Sequence, residues 1–199
     1  MTEYDFTSIE KDALAAYAGS LDRIIWDLSQ AENALGGDQI DFADVIHAAA
    51  HLRLVIENMV FSSLITSRQL LLEAQANLAK KRDMGDTRKL VRGVYSRYWP
   101  EGQLPNPGVG GPVLIPNPHA LKEDEYSLAW GRMSEILHGR SPYVQSKREP
   151  QDHLGYQREL VKQLHGTLDF HFLYYPNNEI LYGRIANGKP EAQVLRVGG

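Results

Sequence analysis

Arg132 and His138 are the residues whose types and spacing point most directly to chemistry. They lie in Trp130-Gly131-Arg132-Met133-Ser134-Glu135-Ile136-Leu137-His138-Gly139, which reads as the end of a helix closed by glycine. A guanidinium stays cationic at any ordinary pH, and an imidazole moves a proton near neutrality. Together they supply what metal-free phosphodiester cleavage needs: stabilisation of an anionic transition state, and proton transfer. Six steps along a regular helix rotate by about 240°, so the two do not share one face. Unwinding of the last turn against Gly139, or a composite of two copies of the helix, would bring them together. A plainer reading competes. A His at a helix C-terminus suits the helix dipole, and Arg132 has Glu135 and Asp124 as candidate ion-pair partners.

Other constellations are weaker. His47 and His51 are spaced i, i+4, a competent half of a zinc site. The residues between them are Ala48, Ala49 and Ala50, so the glutamate of a His-Glu-x-x-His metalloprotease is missing. The sequence points to no completing carboxylate, and packing or hydrogen bonding is the preferred role; no metal or cofactor is expected. Arg53 and Glu57 form an i, i+4 charge pair on a helix that otherwise reads as core, suited to orienting a neighbouring helix or supporting Arg132 and His138. A basic stretch carries Lys80, Lys81, Arg82, Arg88, Lys89, Arg92 and Arg97 with Tyr95 and Tyr98 interleaved; Arg88 and Arg92 share one helical side. This is the best phosphate-binding surface in the chain, with a solvated helix face as its ordinary reading. Arg140, Lys147 and Arg148 follow the Arg-His stretch. There is no phosphate-binding glycine loop, nucleophile elbow or dinucleotide fingerprint.

The elements that must position these residues are mostly helical. Residues 8 to 35 read as a helix capped by Thr7 or Ser8, with Leu14, Tyr17, Leu21, Ile24, Ile25, Leu28, Ala31 and Leu35 as its apolar stripe. A second helix runs from about Asp41 toward Ala79, apolar over so wide a face that it must be contacted from several sides; Ser67 is where a break would fall. Asp86 or Thr87 caps a third, through about Tyr98. Residues 100–118 hold six of the ten prolines and read as an irregular loop that could gate a cleft. A fourth helix covers about 122 to 138, and a shorter one 151 to 165. After it, 168–175, 180–185 and 192–197 read as a three-stranded antiparallel meander with turn signals between, packed on the bundle or paired with a second subunit.

The order of these features resembles the HEPN superfamily. The residues that carry the resemblance are the Arg-x5-His ending of a late helix, its close Leu137-His138-Gly139, and the Arg53-to-Glu57 segment on a long second helix. It spans about residues 8 to 165 and implies a mainly α fold, an antiparallel HEPN-like bundle (1–165), with the small C-terminal β-meander (166–199) as an appendage. It also implies a homodimer whose two late helices face each other across one cleft. Many members are metal-independent RNases of toxin–antitoxin, phage-defence or CRISPR systems. By position, Arg132 would clamp the phosphate, His138 would transfer the proton, and Arg140, Lys147 and Arg148 would grip the RNA backbone. Active members often carry Asn or Asp after the Arg. Here Met133 stands there, with Ser134 as the nearby polar substitute. That departure favours a rival reading: a catalytically silent HEPN-like module that binds RNA, a nucleotide or a partner protein.

Composition sets the outer bounds. The chain has 199 residues, a net charge of −4 and no cysteine. A chain this long can fill one good core. The charge excludes a protein basic all over but leaves room for a local basic stripe. Without cysteine there are no disulfides, thiolate metal sites or cysteine nucleophiles. The acidic start, Met1-Thr2-Glu3-Tyr4-Asp5, does not resemble a signal peptide, and no apolar run is long enough to cross a membrane. A cytoplasmic protein is expected, with RNA, a second copy and an antitoxin or regulatory protein as its partners.

Overall fold

The computed structural model describes residues 4, 6–106, 113–137, 150–186 and 188–196. Within them the chain is mainly helical, with a five-stranded antiparallel sheet. None of the described helices is long and apolar enough to cross a membrane.

Helix α1 (Lys11–Leu35) buries Tyr17, Leu21, Ile24, Leu28, Ala31 and Leu35, the expected stripe. Its start differs from expectation: Glu10 occupies the cap position and no side chain caps it. Thr7 is engaged elsewhere, its amide and its hydroxyl both donating to the Thr66 carbonyl. Helix α2 (Phe42–Ser62) opens with a capping box between Asp41 and Asp44. It packs against α1 and, later in the chain, three further helices, of residues 68–81, 126–137 and 150–168, burying Val45, Ala48, Ala49, Leu52, Val55, Ile56, Met59 and Val60.

The single long second helix is corrected: α2 stops at Ser62, and α3 (Arg68–Lys81) follows. The hydroxyls of Ser62 and Ser63 donate back to the carbonyls of Met59 and Val60, competing locally with helix propagation. Helix α4 (Met84–Val94) is capped by Asp83, not Asp86 or Thr87, and ends short of Tyr98. Tyr95 and Tyr98 are buried, so they leave the chain of the basic stripe and join the core. Helix α5 (Tyr126–Leu137) carries Arg132, and α6 (Pro150–Leu168) packs on α1 and α2.

Strands β3 (Phe170–Tyr174), β4 (Glu179–Ala186) and β5 (Lys189–Arg196) form the expected meander. The irregular loop at 100–118 is the second correction. It contributes β1 (Glu101–Pro105) and β2 (Leu114–Pro116), and the sheet order is β2-β1-β3-β4-β5. β structure therefore also precedes residue 166. The prolines fit because Pro105 ends β1 and Pro116 lies on the short edge strand, positions where a missing amide is tolerated. Gly102 is required for this: any Cβ there would overlap the Gly166 carbonyl on α6. The sheet turns Leu173 and Leu181 into the same core as the helices, facing α1 and α6.

Candidate functional site

Arg132 occupies the last half of α5 on a boundary face, between buried Met133 and exposed Gly131. Its guanidinium carbon lies 3.6 Å from the centroid of the Tyr156 ring on α6. Its Nε is shielded from solvent and has no hydrogen-bond partner. Among the described contacts no ion pair joins Arg132 to Glu135 or Asp124, the partners expected from spacing. By contrast, Arg23, Arg53, Arg88, Arg92, Arg97 and Arg184 all sit against carboxylates. His138, Arg140, Lys147 and Arg148 lie outside the described residues. Met133 is fully buried, with its sulfur 3.8 Å from Gln157 Nε2. Ser134 is also buried, its Oγ without a hydrogen-bond partner.

Arg53 and Glu57 act on α5 through Trp130. Arg53 Nε donates to Glu57 Oε1 at 2.9 Å, and Trp130 Nε1 donates to the same oxygen at 2.7 Å. The Arg53 guanidinium carbon lies 4.4 Å from the Trp130 ring centroid. The charge pair thus fixes the indole two residues before Arg132, and with it the rotation of α5 against α2. This is the helix-orienting role open to it in the sequence.

The basic stripe resolves into a structural cluster. Arg88 makes a fork to Glu123, with Nε and Nη2 at 2.8 and 2.7 Å from its two oxygens. Arg92 reaches the same carboxylate at 3.2 Å, and the Tyr98 hydroxyl donates to it at 2.8 Å. Tyr98 and Tyr126 share a further bond of 2.6 Å. Burial pushes the Glu123 carboxyl up. The hydrogen bonds from Arg88 and Tyr98 and the charges of Arg88 and Arg92 outweigh it and hold the group below its ordinary value. Arg88 is therefore occupied in joining α4 to the start of α5; Arg92, more exposed, keeps free donors for solvent. Beside this cluster is a cleft of about 390 Å³, walled by Trp99, Pro100, Pro116, Pro118 and Leu121, with Arg97 and Lys122 at its edge. Arg132 is not among its walls.

Two histidines missed in the sequence have defined environments. His171 is fully buried on β3, its Nδ1 donating to the Leu168 carbonyl at 2.9 Å and its Nε2 accepting from the Tyr17 hydroxyl at 2.5 Å. Burial lowers its pKa to about 4. His165 on α6 lies between Asp169 and Glu32, whose hydrogen bonds and charges raise its pKa to about 9 against the opposing effect of burial. The i, i+4 spacing of His165 and Asp169 was the one signal the sequence held; Glu32, and Tyr17 for His171, are distant in the chain. His47 and His51 meet edge to face, and His51 is held by Asp27 of α1. Among the described residues no group of three or more His, Cys, Asp or Glu is placed to hold a metal ion.

Compared with models of known protein families, with curated proteins and with solved structures, the chain matches none.

Proposed function

We propose that the protein is a metal-independent endoribonuclease of the HEPN type, toxin-like or defence-related, acting in the cytoplasm as a homodimer under an antitoxin or regulatory protein. The helices would be the HEPN-like antiparallel bundle, with RNA bound across the cleft between two copies of α5. Arg132 stabilises charge on the scissile phosphate, and His138 removes or returns the proton as the 2′-hydroxyl attacks. Arg140, Lys147 and Arg148 hold the backbone. Arg53 and Glu57 position α5 through Trp130.

One observation carries this reading. Among the described residues Arg132 is a half-buried guanidinium stacked on Tyr156 with no carboxylate partner, whereas the other half-buried guanidiniums described, Arg53, Arg88 and Arg184, are paired with carboxylates. A preorganised, unneutralised cation is what an anionic transition state needs. The test is incubation of the purified protein with a mixed RNA pool in EDTA, beside Arg132→Ala and His138→Ala. Cleavage by the native protein that falls by about 10²–10⁴-fold in both variants supports the assignment. Equal cleavage by all three, or none by any folded form, removes it.

Met133 and Ser134 favour a second reading, the catalytically silent binding module. Both are buried, so neither presents a polar group beside Arg132 at the surface. In that case the protein retains RNA, nucleotide or partner binding that depends on Arg132, without cleavage.

A further inference from the structure

The His47–His51 pair gains from the fold what the sequence lacked. The rings stand one turn apart on α2, their centroids 4.6 Å apart and their planes at 64°. Asp27, from α1, is fully buried, and its Oδ1 lies 2.8 Å from His51 Nδ1. Its other oxygen accepts from Arg23 Nε at 3.1 Å, so the buried carboxylate is charge-compensated. An ionised carboxylate only accepts, so Asp27 holds the proton on His51 Nδ1, and the neutral form of that ring keeps its lone pair on Nε2. A carboxylate bound to the far nitrogen is the arrangement that orients metal-binding imidazoles and raises their basicity. The edge-to-face rings are also close to the required separation, and rotation of the exposed His47 ring would turn its lone pair toward that of His51. Two imidazoles bound at roughly 2.0–2.1 Å to one ion, near the tetrahedral angle, hold their centroids about 5 Å apart. His47 is exposed, and the His51 side chain retains 13% of its accessible surface, so solvent reaches the pair.

We propose that His47 and His51 are the two protein ligands of an open site for an imidazole-preferring divalent cation of the Cu²⁺, Ni²⁺ or Zn²⁺ class, with Asp27 positioning His51. No third protein ligand completes the site among the described residues, so water fills the remaining positions. Cu²⁺ binds most tightly of the three, by the usual order for nitrogen ligands. The proposal shares no residue with the ribonuclease reading and does not depend on it; EDTA would empty this site, so cleavage in EDTA tests only that reading.

Trp26 supplies a reporter, since its ring is half exposed and its centroid lies 5.4 Å from that of His51. Full-length protein without a polyhistidine tag is titrated with CuCl₂ while tryptophan emission is followed, and with ZnCl₂ while melting is followed. The expected result is saturable quenching at one ion per chain and a melting temperature raised by about 5 °C at a hundred-fold excess over Kd. His47→Ala, at an exposed position, abolishes both effects while leaving the circular dichroism unchanged. Asp27→Asn keeps both ligands and weakens Cu²⁺ binding about 10–100-fold. Should Asp27→Asn not fold, His47→Ala still decides. No saturable binding by the native protein, or binding undiminished in His47→Ala, overturns the proposal.

Discussion

Arg132 lies over the face of Tyr156, its guanidinium carbon 3.6 Å from the ring centroid, so among the described residues the cation of α5 is held by an aromatic ring of α6 and not by an anion. An ion pair would cancel the charge; a ring face fixes the side chain and leaves the charge available. The contact also links α5 to α6 across the segment between them.

That relationship makes Tyr156 a positioning residue for the proposed reaction. A cation–π contact of about 0.5–2 kcal/mol corresponds to a loss of roughly 2- to 30-fold when it is removed. Tyr156→Leu should lower kcat for RNA cleavage within that range, while Tyr156→Phe, which keeps the ring, should stay near the native rate. Single-turnover cleavage of a defined RNA checks this. Equal losses in both variants would show that the hydroxyl matters and not the ring.

Trp130 should prove a structural hub. Trp130→Phe removes the donor to Glu57 and weakens the stack under Arg53, leaving a half-buried carboxylate with one partner fewer. The expected destabilisation is about 1–3 kcal/mol, read from the urea midpoint. A change under about 0.5 kcal/mol would mean that α5 is oriented by its apolar contacts alone.

Arg88 and Arg92 should separate cleanly. Arg88→Ala strands Glu123 beside Tyr98 and Tyr126 and should cost about 2–3 kcal/mol, whereas Arg92→Ala, at an exposed side chain, should stay within about 0.5 kcal/mol. Chemical denaturation measures both. An Arg88→Ala protein of native stability that has lost affinity for RNA would return this residue to the binding surface.

The two histidines give stability opposite pH dependences. His171 has a depressed folded pKa of about 4, so between that and about 6.5 the unfolded chain binds the proton that the folded chain refuses. Its contribution is full above about pH 6.5 and is lost as pH falls toward 4, by an amount on the order of 3 kcal/mol. His165 is raised to about 9, so its stabilisation is full below about pH 6.5 and is lost as pH rises through 9. Urea midpoints from pH 4.5 to 9.5 should show both limbs, and His165→Asn should flatten the alkaline one. An alkaline limb unchanged in His165→Asn would assign it to another group.

Gly183 tests the same buried centre sterically. A Cβ there would overlap the His171 ring, which Tyr17 and Leu168 hold in place. Gly183→Ala should destabilise by about 3 kcal/mol or prevent folding, and His171→Ala in the same chain should recover part of the loss. A Gly183→Ala protein of native stability would show that the ring has room to move.

The sequence by itself determined the helical stripe of α1, the broad apolar α2, the C-terminal meander and the i, i+4 partnership of Arg53 with Glu57. Each is a local periodicity or spacing, and the physics that reads it acts between residues a few positions apart. The sequence offered Ser67 as the place for a break in the long second helix, and Ser67 is the N-cap of α3; that the chain does break there is supported by the tertiary bond from the Thr7 amide to the Thr66 carbonyl. Only the tertiary structure decided that a proline-rich segment becomes two strands, because β3 offers β1 a ladder that no local preference could supply. The same holds for the charged groups. Spacing offered Arg132 two carboxylates, and packing gave it Tyr156; spacing offered Arg88 to phosphate, and packing gave it to Glu123. Spacing gave His51 a histidine one turn away, and a buried aspartate from another helix supplied the orientation. Charge partners across helices are fixed by the core that brings the backbones together, and that core is a property of the whole chain.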